Sequence, residues 1–394
     1  MTTSINYQHP GQRSEIGKWN DRAYEASREA LQKYLETPRL AEAFRRLYEQ
    51  QMDVGFIQDD LTQVERFQCR SDDGDDRVTF IGQFNPRRRE RSKGAGRKTP
   101  PRGAQTVETT DPSCFLCTDN ICWQHRGVQL YYQFPINGRV YNALCNPFPF
   151  MPVHITVARQ AHNPQSWQKL GPSEEEQYES RSPRMPRNEW KIAQIVTDLF
   201  EITRRLNEDN ARSSRRFVGF YNGVGAGASI EKHFHYQFFE VSRGHDLFPL
   251  ERAAQMPDDE IAPGVLKIGG KDYPLTAFKM TGAQVVAHTV RLAGTWDAHL
   301  GQAASANVIV TFEDGAEVVY LVPRNSLYTR SPGLFGTVGV METLGEFIFC
   351  TELEDQLIKE QKINFLHMWR VLESVHPPQC ADVDWAAALE ESGK

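Results

Sequence analysis

The segment Phe220–Glu240 reads FYNGVGAGASIEKHFHYQFFE, and near its end His233, His235 and Gln237 stand at alternate positions. Side chains alternate between the two faces of a strand. On a strand these three polar residues therefore share one face, and Phe234, Tyr236 and Phe238 form the opposite, core-facing one. Just upstream stand Gly223, Gly225, Gly227 and Ser229. Glycines let main-chain N–H groups approach an anion closely, and a serine hydroxyl can donate to a phosphate oxygen. An imidazole can attack phosphorus, carry a covalent group and leave again. One histidine alone would read as an ordinary sheet residue; three aligned polar residues beside such a turn read as a phosphate-handling site.

A second signal is Cys114-Phe115-Leu116-Cys117. Two thiolates at this spacing can bind one tetrahedral metal ion. The rival reading is a redox dithiol, but no βαβ pattern with a helix after the motif supports it. No second C-x-x-C follows, so further ligands must be histidine or carboxylate. His125, His154, His162, His233 and His235 are all candidates, and spacing alone does not choose among them. A third signal is the basic run Arg87, Arg88, Arg89, Arg91, Lys93, Arg97, Lys98 and Arg102, interrupted by Gly94, Gly96, Pro100 and Pro101. It reads as a solvated loop without regular structure, or as an anion-binding lid.

The elements that must position these residues follow from periodicity. Residues 21–50 carry apolar side chains at spacings near three and four, with Pro38 dividing them into two helices. Strands are expected at 77–84, 128–133, 139–145, 153–158, 216–221 and 235–241, and later at 284–290, 306–312 and 317–322. Asn137-Gly138 between two of them signals a hairpin. Helices are expected over 189–206, with an apolar stripe from Trp190 to Leu206, and near 354–375. Near-sequential strands that outnumber helices point to an α+β fold, an antiparallel sheet with helices packed on one face. Each half of the chain has a strand run and a late helix, so the two halves read as degenerate copies.

The chain has 394 residues and a formal net charge of -6, from 45 Lys+Arg against 51 Asp+Glu. A mildly acidic chain of this kind is not a general nucleic-acid binder. No apolar run reaches the ~18 residues of a membrane helix, and the polar start from Met1 to Asn20 has no signal-peptide core. Seven unevenly spaced cysteines suit the reducing cytoplasm. Cys69, Cys122, Cys145, Cys350 and Cys380 read as small buried residues.

Taken together, the motifs resemble the transferase branch of the histidine-triad superfamily. That branch holds galactose-1-phosphate uridylyltransferase, diadenosine tetraphosphate phosphorylase and the nucleotide-sugar phosphorylases. Its signature is matched by Asn222, Gly225, Gly227, Ser229, His233, His235 and Gln237, where the hydrolase branch has a third histidine at the position of Gln237. Cys114–Cys117 resembles the metal-binding start of such domains. Asn146-Pro147-Phe148-Pro149-Phe150, then Pro152, His154 and His162, resemble their nucleoside-binding strand-turn-strand. Gln83–Pro86 and Ala306–Arg324 resemble flanking segments of a phosphorylase-like group, so the likeness spans about residues 80–350.

The resemblance implies a HIT-like/GalT-like fold in four parts: an N-terminal helical region (1–75), a strand plus basic loop (76–110), a catalytic half with a zinc site (111–245), and a degenerate second half with a C-terminal helix (246–394). It implies Cys114, Cys117, His162 and His233 as ligands of a structural zinc ion. His235 would be the nucleophile that takes the nucleotidyl group, and Gln237 would hydrogen-bond its phosphate. Asn146 would lie near the ribose or base, while Asn222, Gly225, Gly227 and Ser229 would line the phosphates. Lys232, Arg324 and the arginine run are candidates for grasping the acceptor. The implied activity is that of a nucleotidyltransferase or phosphorylase. Its donor would be a nucleotide sugar or dinucleoside polyphosphate, and its acceptor phosphate or a sugar phosphate. A nitrogen of His235 would donate to a backbone carbonyl, setting the tautomer. A homodimer follows by analogy only. Two departures are visible: Ser229 stands four residues before His233 rather than three with Phe234 in place of a proline, and the extra iron-binding residues of some uridylyltransferases have no counterpart, since His245, His288 and His299 stand in no matching context. These weaken a uridylyltransferase assignment and leave the chemistry intact. A hydrolase using water and a non-catalytic nucleotide sensor are the alternatives.

Overall fold

The computed structural model describes residues 39–53, 55–57, 59–71, 78–93, 114, 116–117, 129–181, 185–208, 215–242, 247–255, 259–328 and 337–390. The expected helix from residue 21, its break at Pro38, the basic run beyond Lys93, Cys122 and His125 lie outside the described residues.

The centre of the molecule is one ten-stranded antiparallel sheet. Its first five strands are β3 (Tyr131–Ile136), β4 (Arg139–Cys145), β5 (Ile155–Arg159), β6 (Arg215–Asn222) and β7 (His235–Ser242). Its second five are β8 (Glu260–Ala262), β9 (Val265–Ile268), β10 (Ala277–Met280), β11 (Ala304–Glu313) and β12 (Ala316–Asn325). From the outer edge inward the first set runs β3-β4-β5-β7-β6, and the second runs β8-β9-β10-β12-β11. Each set carries one long helix between its third and fourth strands, Arg187–Glu208 in the first and Val285–Leu300 in the second. The connection order therefore repeats, and the two copies join where β6 pairs with β11. This is the α+β antiparallel architecture with two degenerate halves that the sequence suggests.

Burial explains the layers. The helix α1 (Leu40–Asp53) seats Phe44 and Leu47 on one sheet face, and the Arg187–Glu208 helix adds Ile192, Ile195, Leu199, Ile202 and Leu206 to the same core. The Val285–Leu300 helix contributes Leu292 and Trp296 there. The opposite face is covered as well. A second sheet of β1 (Glu65–Arg70), β2 (Thr79–Phe84) and β13 (Glu346–Phe349) packs on it, with the short helices Pro249–Ala253, Val340–Leu344 and Phe365–Glu373. The face that carries Gln237 thus continues into a second core around Phe220, Phe239 and Tyr320. A sheet with helices on one face only is corrected to a three-layered body.

Several local expectations change. Residues 284–290, expected as a strand, begin the Val285–Leu300 helix. Val285, Val286, Thr289 and Val290 are β-branched, yet Val285, Thr289, Leu292 and Trp296 recur at helical spacing and bury one stripe. Packing of that stripe overrides local propensity. The single helix expected near 354–375 is two, Glu352–Lys359 and Phe365–Glu373. Gln361 at φ 55 breaks the first, and Asn364 caps the second by accepting from the His367 amide at 3.0 Å. The first part of the basic run forms a 3₁₀ helix, Pro86–Lys93, and is not irregular there. Arg88 is buried and donates to the Phe148 carbonyl. The hairpin at Asn137-Gly138 is present, with φ of 48 and 75, the left-handed values a two-residue turn of this kind needs. Among the described residues no helix is long and apolar enough to cross a membrane.

The hairpin is tied to the helical layer by one buried carboxylate. Asp198 accepts from Arg139 twice at 2.5 Å, from the Tyr141 hydroxyl at 2.6 Å and from the Asn137 side chain at 2.8 Å. Replacing Asp198 by alanine leaves the Arg139 guanidinium half-buried without its counter-charge, a loss worth about 3–5 kcal/mol. Urea unfolding of Asp198→Ala should show that decrease. A loss below about 1 kcal/mol would place the pair among ordinary surface ion pairs.

Candidate functional site

β6 ends at Asn222, the chain leaves the sheet over residues 223–234, and it returns as β7. Two glycines make that excursion possible. Gly225 has φ +72, and a Cβ there would stand 2.6 Å from the Ser326 Cα. Gly227 has φ +101, and a Cβ there would stand 2.4 Å from the Gly339 Cα. Both positions require φ > 0 and a bare backbone.

The register then sets side chains abreast. Phe220 pairs with Gln237, so Asn222 falls opposite His235, and Asn222 in turn pairs with Asn307. His235, Asn222 and Asn307 are buried, and the Asn307 amide donates to the Asn222 side chain at 2.7 Å and to the Ala226 carbonyl at 2.6 Å. Arg324, fully buried, stands on the same face and donates through Nη1 to Asn307 at 2.8 Å and to the Val338 carbonyl at 3.2 Å. Among the described residues its Nε and Nη2 have no hydrogen-bond partner. Burial lowers the Arg324 guanidinium to about 10, a shift that the Glu342 carboxylate partly opposes. A buried cation with unspent donors is chemically able to hold an anion.

His235 itself is fixed on two sides. Its Nδ1 lies 2.9 Å from the His233 carbonyl. A carbonyl can only accept, so Nδ1 carries the proton and Nε2 keeps the lone pair. The Gln165 side chain clamps its backbone. It accepts from the His235 amide at 2.7 Å, and donates to the His235 carbonyl at 2.9 Å and to the Asn222 carbonyl at 2.8 Å. Gln237 is half-buried, and its Oε1 meets His154 Nε2 at 2.8 Å. An oxygen turned to His154 leaves the amide N–H groups of Gln237 facing away as donors.

The other expected residues fall at varied distances from this file. Asn146 is half-buried and caps the Pro-rich turn by accepting from the Phe148 amide at 3.0 Å. Ser229 and Lys232 are exposed on the glycine-rich excursion, outside the buried row. The turn Asn146–Phe150 is braced by Gln83, which donates to the Phe150 carbonyl at 2.9 Å, and by Asn85, which donates to the Pro149 carbonyl at 3.2 Å. Arg88 completes the brace, its guanidinium 5.1 Å from the Phe150 ring centre.

Cys114, Cys117, His162 and His233 converge, and their ligand atoms all lie within 4.8 Å of one another. Cys117 Sγ is 3.1 Å from His162 Nδ1 and 3.4 Å from His233 Nδ1, and Cys114 Sγ is 3.3 Å from His233 Nδ1. The sulfur–nitrogen edge of a zinc tetrahedron is about 3.6 Å, from ordinary metal–ligand lengths. His233 Nε2 lies 2.7 Å from the Arg159 carbonyl, which places the proton there and frees Nδ1 as a ligand. Hydrogen bonding from Cys117, and next from His162 and His233, pulls the Cys114 thiol down to about 2 against the effect of burial. A thiolate pair with two imidazoles fits one divalent ion. His154, also a candidate ligand by sequence, lies with Gln237 instead, and His235 is outside the quartet.

Sequence reading overlooked Gln165 and Asn307. Asn307 had a signal, as a lone polar residue in the apolar run Ala306–Val310. Gln165 had none, because its partners are main-chain atoms far along the chain.

Three comparisons bear on this arrangement. A family described as a domain of unknown function (DUF4922) matches residues 47–171. A search of curated proteins gives no match. Among solved structures, the chain is similar to yeast Ap4A phosphorylase Apa2 in complex with AMP, with 13% identity and a TM-score of 0.52, covering 84% of this chain and 94% of that one. The same enzyme in complex with Ap4A gives 14% identity and a TM-score of 0.53, covering 84% and 95%. At this identity the likeness is one of fold, and it is the fold the histidine-triad resemblance implies.

The clamp can be tested directly. Gln165→Leu keeps the volume and strands three buried main-chain groups, each worth about 1–3 kcal/mol. The variant should lose several kcal/mol of stability, and the His235 amide should lose hydrogen-exchange protection selectively. Unchanged protection at that amide would show that Gln165 does not hold it.

Proposed function

We propose that the protein transfers nucleotidyl groups through a covalent intermediate on His235, acting on a nucleotide sugar or dinucleoside polyphosphate, with phosphate or a sugar phosphate as acceptor. The observation that carries the reading is the contact of His235 Nδ1 with the His233 carbonyl, a tautomer in which Nε2 would hold the lone pair for attack. The fold shared with a phosphorylase of Ap4A supports it.

In the first half-reaction the Nε2 lone pair forms a bond to the α-phosphorus. The bond from that phosphorus to the bridging oxygen breaks, and the leaving sugar phosphate (from a nucleotide sugar) or nucleoside polyphosphate (from a dinucleoside polyphosphate) keeps the electron pair. In the second half-reaction an acceptor oxygen attacks the same phosphorus, and Nε2 takes its pair back. An anionic acceptor needs no deprotonation, which suits a site where Gln237 stands in place of an acid–base histidine. The Gln237 amide and the unspent donors of Arg324 would stabilise charge on the phosphoryl oxygens, where catalysis of such transfers chiefly arises. Asn222, Gly225, Gly227 and Ser229 would line the phosphate chain, Asn146 would border the ribose or base, and Lys232 would guide an incoming anion.

Cys114, Cys117, His162 and His233 would hold zinc with a structural role, since four protein ligands leave no open position for substrate. Metal there would brace the residue next but one to the nucleophile.

The deciding experiment is intact-protein mass after mixing with donors and no acceptor. A nucleotidyl adduct should form on the unmodified protein and not on His235→Gly, and phosphate or a sugar phosphate should clear it. Gln237→Leu should slow adduct formation by about 10²–10³-fold. Tight nucleotide binding with no adduct from any donor would leave a sensor, and acceptor-independent turnover a hydrolase. Separately, the purified protein should contain about one zinc per chain, Cys114→Ser should lose it, and chelation should lower Tm. Metal-free protein of unchanged Tm would remove zinc from the account.

A further inference from the structure

Gln165 holds the backbone of His235, and it stands in a strap, residues 164–169, that has no helix or strand of its own. Both ends of that strap are held by one side chain. Lys191 Nζ donates to the Lys169 carbonyl at 2.5 Å and to the Pro164 carbonyl at 3.2 Å. Its third bond goes to Glu174 Oε2 at 2.8 Å. Lys191 is wholly buried in the Arg187–Glu208 helix. An ammonium carries three N–H groups, and here each has an acceptor. We propose that Lys191 is a positioning residue for His235, acting through the strap: its ammonium fixes main-chain oxygens on either side of Gln165 and, through Gln165, the backbone of His235. Its effect on rate rests on the proposed role of His235 as nucleophile; its effect on position does not.

The same cluster grips the histidine strand. Glu174 stands in the first turn of the helix Pro172–Arg181. Its Oε2 also accepts from the Gly171 amide at 2.9 Å, and its Oε1 accepts from the Arg159 guanidinium. That guanidinium lies over the Phe234 ring, 4.7 Å from its centre, and the Arg159 carbonyl meets His233 Nε2. Strap and strand are thus tied to one buried group of charges, a carboxylate between two cations. Removing the Lys191 charge leaves Arg159 and Glu174 as a balanced pair, so no buried charge is left without its opposite. What an apolar side chain cannot supply is a donor for the two strap carbonyls.

Protonation of Lys191 sets the number of those bonds. Burial pulls its ammonium down to about 8, opposed by Glu174 and assisted by Arg159, the charged groups that face it from the helix Pro172–Arg181 and from β5. Above that pH a neutral amine has two N–H groups for three acceptors, and one bond is lost. The sign for the fold is the opposite one. The folded value lies below the ordinary lysine value, so between the two the unfolded chain holds the extra proton, and stability through this group rises with pH. A strap that loosens in a fold that gains stability is a combination that scaffolding alone does not give.

The test is amide hydrogen exchange on the full chain, with intrinsic rates divided out, for the unmodified protein and Lys191→Met. In Lys191→Met the His235 amide should lose protection about 10-fold, the worth of one net hydrogen bond, while amides at the centre of β11 keep theirs. In the unmodified protein the same amide should lose protection as pH rises through about 8, a step that Lys191→Met should lack. With donor at saturation, adduct formation in Lys191→Met should slow about 10-fold, one net bond again, and donor affinity should not change. Unchanged His235 protection in Lys191→Met overturns the proposal, as does, for a variant that fails to fold, absence of the pH step in the unmodified protein. A loss shared equally by the β11 amides also overturns it and makes Lys191 a scaffold contact. A His235 amide that responds as expected in a protein forming no adduct supports the positioning role and removes the nucleophile reading instead.

Discussion

Where β6 and β7 part company, a sheet loses its ladder, and something must satisfy the main-chain groups left behind. In this chain that task falls to one side-chain amide. Gln165 takes the His235 N–H, the His235 carbonyl and the Asn222 carbonyl together. Its own amide N–H meanwhile donates to the Glu231 carbonyl at 3.0 Å. The glutamine behaves as a short piece of strand. Without it the glycine-rich excursion could not leave the sheet at one residue and return at another with both ends dry. The position of His235 and the file of asparagines beside it inherit their geometry from that contact.

A second constraint couples the Cys/His quartet to His235. The carbonyl that receives the His235 Nδ1 proton belongs to His233, whose own Nδ1 sits among the cysteine sulfurs. The Arg159 carbonyl takes the remaining nitrogen of His233. Two imidazoles, two residues apart, thus have their tautomers set by main-chain oxygens in series. The two imidazoles, of the same residue type, thus present different nitrogens, Nδ1 of His233 and Nε2 of His235, because each has the other nitrogen tied up. Phe234 between them is buried and stacks on Tyr221, which keeps the intervening turn of chain from relaxing.

The sequence made the chemistry more legible than the body around it. Alternation through His233, Phe234, His235, Tyr236 and Gln237 gave the strand and its two faces, and the quartet converges as the resemblance implied. Strands β4 to β7, β11 and β12 were readable, because each buries one or both faces with apolar residues, whereas β8, β9 and β10 were not expected. The failures have physical causes. The Val285–Leu300 helix is rich in β-branched residues and was read by composition where its spacing was the better guide. β8, β9, β10 and β13 have only three or four residues each, too few to show alternation, β1 is mostly exposed, and β13 gains its place by pairing with β2 far away in sequence. Arg88 sat in a run that looked solvated, yet its guanidinium closes the Pro-rich turn. Contacts that join distant segments through main-chain atoms, as those of Gln165 and Asn307 do, leave no periodic trace to read.

The repeated strand order has a consequence for how the chain can be handled. In the first half the fourth and fifth strands are separated by the glycine-rich excursion; in the second, β11 and β12 are joined directly through Asp314-Gly315. The two copies meet along the β6–β11 ladder in the middle of the sheet. Cutting the chain into its halves would bare two long, flat, apolar strand edges, the kind of surface that seeds edge-to-edge aggregation. Each half therefore serves as the other's edge protection, and the copy that lacks the His233/His235 pair covers an edge of the copy that has it.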